Sequence, residues 1–327
     1  MFRDNFISKP NPLYDDACLI LNQFASLDFN YNLYLFPGDS FEKKVKMEFP
    51  PPFDIQHGDF IGILGSAING TLCIYDRENN TKVVLWNPAT NEIKVIPPSL
   101  GEVSPKFITA CDLNGFGYDH VTDDYKVIQH VCYVSVTLSE CPWDDVTPKS
   151  FWEIYSLKSN SWKKLDFDMP TRDLSTNTEV YLNGVCHWMF RAIGVTYVVS
   201  FYLCNEAVFI TPLPLEDVHN DHLVVLNGCI AIIYNYKENI SFQISILGEV
   251  GVKESWIRLF NIAPFSCIDY PIGTGKMGNI FFRNKNDELT CFDLTTGLIE
   301  EIGVKGEFWC QMIIYKENLH PIGGINN

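Results

Sequence analysis

The sequence is poor in several things, and each absence excludes a class. No apolar run approaches the ~18 residues that a membrane-spanning helix needs, so no span is expected. Basic residues are scarce: 24 stand against 40 acidic ones, for a net charge of −16. A surface of that sign repels phosphate backbones, which makes nucleic acid a poor partner. It suits a basic protein partner, or it only keeps the chain in solution. No C-x-x-C occurs among the 11 cysteines, which are scattered singly, so neither a zinc knuckle nor a dithiol redox pair is signalled. Several cysteines sit inside apolar runs, such as Cys229 in GCIAII and Cys291 in LTCFDL, where a free thiol behaves as a small apolar residue. That usage predicts a reducing compartment, cytoplasmic or nuclear. The first residues, MFRDNFISKPNPLYDD, lack a basic start followed by an apolar core, so no secretory leader is expected. Amphipathic helices are missing too, and without helical crossovers a parallel α/β fold has no support.

What the chain does contain is a repeat. LWNPATNEIKVI (85–96), IYSLKSNSWKKL (154–165) and CFDLTTGLIEEI (291–302) align without a gap, and SFYLCNEAVFIT (200–211) fits the same frame. Each copy puts an aromatic at a strand end: Trp86, Tyr155, Phe292 and Phe201. Each then has a short turn and an apolar residue seven positions on: Ile93, Trp162, Ile299 and Val208. The flanking runs are β-branched and aromatic, bounded by Asn, Ser, Thr, Pro and Gly, which is the pattern of a hairpin. In the first copy Pro88 presets the backbone and Asn87 can accept from turn amides. A fifth copy carries a longer loop before Trp256. A second mark, Asn-Gly or Gly-Asn, opens strands at Asn69-Gly70, Asn183-Gly184, Asn227-Gly228 and Gly278-Asn279, with Asn114-Gly115 as a further member. Units of about 40–50 residues with four strands are propeller blades.

The fold expected is therefore all-β: a kelch-like β-propeller of about six four-stranded blades. They begin near residues 19, 59, 106, 177, 221 and 272, and the strand within 310–322 joins the first blade to close the ring. An insertion at about 136–150 interrupts the third unit.

The chemical motifs are weak beside this. Gly273–Gly278 matches G-x-G-x-x-G, but a strand follows where dinucleotide binding needs a helix, so an inter-blade loop is expected. His219 and His222, with Glu216, Asp217 and Asp221, are a cluster of ligand types read as a polar linker, with no metal or cofactor expected. Cys186 and His187 alternate on a strand and face opposite ways. Asp123-Asp124 is read as completing a turn. Most tryptophans are expected to pack between blades. Trp143, beside Asp144 and Asp145 in the insertion, is either a partner-binding loop or a cap on its own blade.

The strings VVLWNPATNEIKVIPPS, GFGYDHVTDDYKVI, WEIYSLKSNSWKKLD, VYLNGVCHWMF, VVSFYL, HLVVLNGCIAIIY, VKESWIRLF and LTCFDLTTGLIEEI resemble, in order, the plant F-box-associated interaction domain. The S-locus and S-haplotype-specific F-box type is the most similar version. The resemblance implies a propeller that recruits a protein target to a Skp–cullin–F-box ubiquitin ligase. It divides the chain into a post-F-box linker remnant (1–18), the propeller (19–322) and a tail (323–327). No stretch matches the F-box itself, and FRDNFISKPN resembles only the linker after an F-box, so binding of the Skp adaptor is not expected of these residues. Two other readings remain open: a fragment that binds targets without delivering them, and a propeller enzyme such as a glycosidase or oxidase, which would need acid, base or metal groups in the channel.

Overall fold

A computed structural model describes residues 16–25, 30–38, 41–54, 60–77, 82–102, 107–135, 149–171, 179–192, 195–216, 218–236, 241–262, 268–306 and 309–323. They form 24 strands in six four-stranded antiparallel sheets. This is a six-bladed β-propeller. Blade 1 has the order β24-β1-β2-β3, and the others run β4–β7, β8–β11, β12–β15, β16–β19 and β20–β23. The expected closure is present: Gln311–Tyr315 (β24) pairs with Cys18–Ala25 (β1), from Asn22↔Gln311 to Cys18↔Tyr315. Only this short stretch of 310–322 is strand. The residues after it cross from blade 1 to blade 2. No described residue is in an α-helix; a single 3-10 turn spans Lys253–Ser255.

The core is not one mass but six, one at each junction between blades. Alternation along β1 shows how: Leu19 and Leu21 pack toward blade 6, while Ile20 between them packs toward blade 2. Middle strands are thus buried on both faces and read as apolar runs closed by polar residues. Leu72–Asp76 (β5), Val83–Asn87 (β6) and Ile280–Asn284 (β21) are buried at every residue.

The repeat spacing has a direct structural meaning. Trp86↔Ile93, Tyr155↔Trp162, Phe201↔Val208 and Phe292↔Ile299 are all cross-strand partners at the turn between third and fourth strands. Five residues after each aromatic the backbone has positive φ, at Asn91, Asn160, Glu206 and Gly297. Asn69-Gly70, Asn183-Gly184 and Asn227-Gly228 have positive φ at both residues and join first to second strands.

Four expectations fail. Asn114-Gly115 is no turn; it lies inside Phe107–Asp119 (β8), at a register shift between Leu113 and Gly115. The bulge needs a glycine, since a Cβ on Gly115 would lie 2.9 Å from the Cβ of Cys186. Gly273–Gly278 is no inter-blade loop. Gly273 and Thr274 end β20 (Ile268–Thr274), and the rest is the turn into β21 of the same blade. The segment around His219–His222 is no linker but the innermost strand of blade 5, Val218–Leu226 (β16). Trp309 does not pack between blades: it is 46% exposed, with the Arg77 guanidinium 5.4 Å from its ring.

Gly273 fixes the last blade against the closing strand. Its φ is +154°, and a Cβ there would lie 2.2 Å from the Met312 carbonyl oxygen. Gly297 has φ +72° with open space around it. Gly273→Ala is expected to lower the unfolding free energy by more than about 2 kcal/mol. Gly297→Ala should cost about 1 kcal/mol. Urea midpoints of the two variants at unchanged slope measure the difference.

Candidate functional site

Consecutive strands alternate in direction, so the ring has two unlike faces. The first-to-second and third-to-fourth turns share one face; second-to-third loops and blade-to-blade connections share the other. On the turn face the C-terminal segment acts as a strap. The Asn87 side chain, fully buried, donates from Nδ2 to the carbonyls of Asn318 (2.7 Å) and His320 (3.3 Å). Its Oδ1 accepts from the Ala89 amide, the turn bond expected of it. Asn318 Nδ2 donates to the Asn69 carbonyl, and Ile322 inserts into the core between blades 2 and 3. Gly70 lets the strap pass, because a Cβ there would lie 2.6 Å from that of Asn318.

The central channel is a cavity of about 470 Å³ walled by β12, β16, β20, β24 and residues 65–70. Several of its polar side chains tie inner strands together. Gln311 Nε2 donates to the Gly65 carbonyl, and Thr274 Oγ1 donates to the Val225 carbonyl of the neighbouring blade. Among the described lining residues the carboxylates are Glu179, deep in the wall, and Glu317 at the strap. His222 also lines the cavity, where burial holds its pKa down at about 4.

Blade 3 departs from the other five. Its hairpin of Phe107–Asp119 (β8) and Asp124–Ser135 (β9) pairs along its whole length, from Asp119↔Asp124 to Phe107↔Ser135. The third strand, Phe151–Ser156 (β10), reaches only to Phe151↔Val131. Four residue pairs, about 13 Å of two-stranded ribbon, therefore extend past the sheet on the connection face. One side of the ribbon is covered: Thr109 Oγ1 donates to the Glu102 carbonyl, and the Glu102 amide donates to the Tyr133 hydroxyl. On the other side Ile108 and Val134 are direct partners, 59% and 53% exposed. Two opposed apolar side chains at the tip of a ribbon are the kind of surface that a partner covers.

A family model described as the F-box associated beta propeller domain matches residues 63–320, more than three quarters of the chain. The chain belongs to this family. Its curated relatives include F-box protein CPR1 of Arabidopsis thaliana, 24% identical across 90% of this chain and 76% of that protein. F-box protein At3g07870 of the same plant is 27% identical across 76% of this chain and 61% of its own length. At4g22390 is 25% identical across 70% and 61%. Among solved structures, TolB from Acinetobacter baumannii superposes with a TM-score of 0.55 at 11% identity, covering 92% of this chain and 67% of that one; the likeness is of fold alone.

Within this F-box-associated propeller, the aromatic repeat residues are structural. Trp86, Tyr155, Trp162, Phe201 and Phe292 belong to inter-blade cores, and Trp256 packs at the edge of one. Two of the tryptophans also staple blades: Trp162 Nε1 donates to the Pro97 carbonyl and Trp256 Nε1 to that of Pro212, each in the preceding blade. Pro88 follows Asn87 in its turn, half-buried. Trp143, Asp144 and Asp145 lie outside the described residues; the segment holding them joins the free end of the ribbon to β10. The loop before Trp256 folds back onto blade 4, with the Gly251 amide donating to Thr211 Oγ1. Of the His219 cluster, Asp221 is occupied by Arg191 at 2.7 and 2.8 Å, while His222, next along the strand, lines the channel. The side chains of Glu216, Asp217 and His219 lie outside the described residues. Asp119, in the β8–β9 turn that Asp123-Asp124 complete, binds Lys126 Nζ at 2.7 Å, and its pKa falls to about 2; burial works against this fall, and hydrogen bonds from Lys126, Thr122 and Val121 outweigh it.

Cys186 and His187 do face opposite ways. The thiol is buried against Gly115 and Gly117, and the imidazole Nδ1 meets Ser200 Oγ at 2.8 Å. Burial holds the His187 pKa down at about 3. Unfolded, it titrates near 6.5, so below that pH the unfolded chain binds the extra proton. The stability from neutral His187 is complete above pH 6.5 and drains as pH falls toward 3, at about 1.4 kcal/mol per pH unit. His187→Gln should flatten the curve of unfolding free energy against pH by about one proton between pH 6 and 4, as followed by urea denaturation at each pH.

Proposed function

We propose that this chain is the target-holding domain of an F-box-type substrate adaptor, and that it binds a protein without catalysing a reaction on it. What carries the reading is membership of the F-box-associated family, with matches to F-box proteins across most of the chain. The ribbon of blade 3 supports it, because it exposes an apolar pair, and the segment that bears Trp143, Asp144 and Asp145 follows it in the sequence. In such an adaptor the propeller grips the target while an F-box engages Skp and the cullin ligase. The net charge of −16 favours a target with a basic surface, found by long-range attraction and then held by apolar contact.

The test is capture from plant extract with residues 1–327 as bait. Ile108→Lys with Val134→Lys, and separately Trp143→Ala, should cut recovery of the specific target at least tenfold at unchanged melting temperature. Raising salt should weaken capture, since the attraction is screened. The Skp adaptor is not expected among the recovered proteins. Equal recovery by all variants would remove the ribbon and insertion as the binding surface, and a bait that captures no protein would count against the binding role itself.

A further inference from the structure

The ribbon of blade 3 carries a second feature at its root. Asp112 on β8 and His130 on β9 are direct cross-strand partners, and Cys132 follows His130 by two residues on the same strand. With a period of two, His-x-Cys puts both side chains on one face, the face that Asp112 shares. A carboxylate oxygen, an imidazole nitrogen and the thiol sulfur all lie within 4.8 Å of one another, and all three residues are half-buried. The Cys132 Sγ to Asp112 Oδ2 distance is 4.0 Å.

From this juxtaposition we propose that Asp112, His130 and Cys132 form a zinc site with three protein ligands and a fourth position open to water or to a partner's side chain. In a tetrahedral site with bonds of 2.0–2.3 Å, neighbouring ligand atoms stand about 3.5 Å apart. Closing from 4.8 Å asks for side-chain adjustments of about 1 Å, within reach of small χ changes on paired strands. The donor set selects the metal class. One sulfur and one nitrogen with a single carboxylate suit zinc and not calcium or magnesium, which take oxygen.

Three observations favour a bound cation. His130 Nδ1 is buried and has no hydrogen-bond partner among the described residues, an expense that a ligand would offset. The Trp152 ring, 5.1 Å from that of His130, packs beside the imidazole, and Trp152 is itself held by its Nε1 donating to Asp168 and to the Met169 carbonyl. Opposite Cys132 stands Ala110, too small to crowd the sulfur. The charges also balance: carboxylate and thiolate together neutralise Zn²⁺, and His130 contributes neutrally. Zinc takes cysteine as thiolate, so binding displaces the Cys132 proton to solvent, one per zinc. The zinc readouts are taken without a target present, and the target-holding role does not require the site.

Purified residues 1–327, stripped with chelator and dialysed against micromolar Zn²⁺, should retain one zinc per chain by elemental analysis. The Co²⁺-substituted protein should show a thiolate-to-cobalt absorption band. Cys132→Ser should abolish that band, and Asp112→Asn and His130→Gln should each weaken zinc binding at least tenfold. Cys204→Ser, at an exposed thiol elsewhere, should leave both readouts unchanged. Far-UV circular dichroism of each variant separates loss of ligand from loss of fold. Where His130→Gln is misfolded, the cobalt band of Cys132→Ser decides. A chain that retains no zinc, or a Cys132→Ser variant that keeps the band, overturns the assignment, whatever the capture experiments give.

Discussion

Everything in this molecule depends on each blade being apolar on both faces. A sheet such as β4–β7 cannot fold alone, because its strands bury side chains toward blade 1 and toward blade 3 alike. A row of such sheets leaves two sticky ends. Bending the row until the ends meet removes them, and six blades do so with a strand from each end of the domain in one sheet. The pairing of β24 with β1 is five residue pairs long, yet the two outer junctions of blade 1 rest on it. This explains why Gly273 tolerates no side chain and why Asn87 spends its buried amide on the strap: both hold the closure.

The ring was legible because its signals are local. A seven-residue aromatic-to-apolar spacing is two strand positions separated by a hairpin turn, so Trp86 and Ile93 announce their pairing without knowledge of the rest of the fold. Asn-Gly at 69, 183 and 227 is likewise a backbone requirement written in two letters. The failures share a cause: the same letters meet a different tertiary demand. Asn114-Gly115 spells a turn but sits where Cys186 presses on a strand, and the glycine serves close approach. The polar letters around His219 spell a linker, but Asp221 finds Arg191 on the neighbouring blade, and a charge paired across a junction is compatible with an inner strand. The strap is invisible in sequence, since nothing local says that Asn318 will lie on Asn69.

The candidate site was half legible. The insertion near 136–150 stood out as excess length in one repeat, and that made blade 3 a candidate for recognition, with a cap on its own blade as the other reading. That the ribbon below it would be long, with Ile108 and Val134 bare, needed the register of β10 against β9. His130 and Cys132 do not stand out in the sequence, two residues apart in an apolar stretch with no further ligand type beside them. Asp112 lies 18 residues earlier, and only the register of the hairpin brings it opposite His130.

A propeller with its interior committed to inter-blade packing has few places left for function. In the channel, Gln311 and Thr274 bind neighbouring inner strands, so changing them trades ligand contact against closure. The turn face is occupied above blade 2 by the strap. What can vary at no cost to the ring is whatever extends beyond the sheets. The bulge at Leu113–Gly115 lies just below that boundary on blade 3. Beside the bulge β8 runs against blade 4, while β10 supports the hairpin as far as Phe151↔Val131, and the ribbon leaves the sheet beyond that pair. Asp112 and His130 stand one pair short of that point of departure. A cross-link there would stiffen the ribbon where support from β10 ends, so that the apolar tip meets a partner already ordered and loses less entropy on binding.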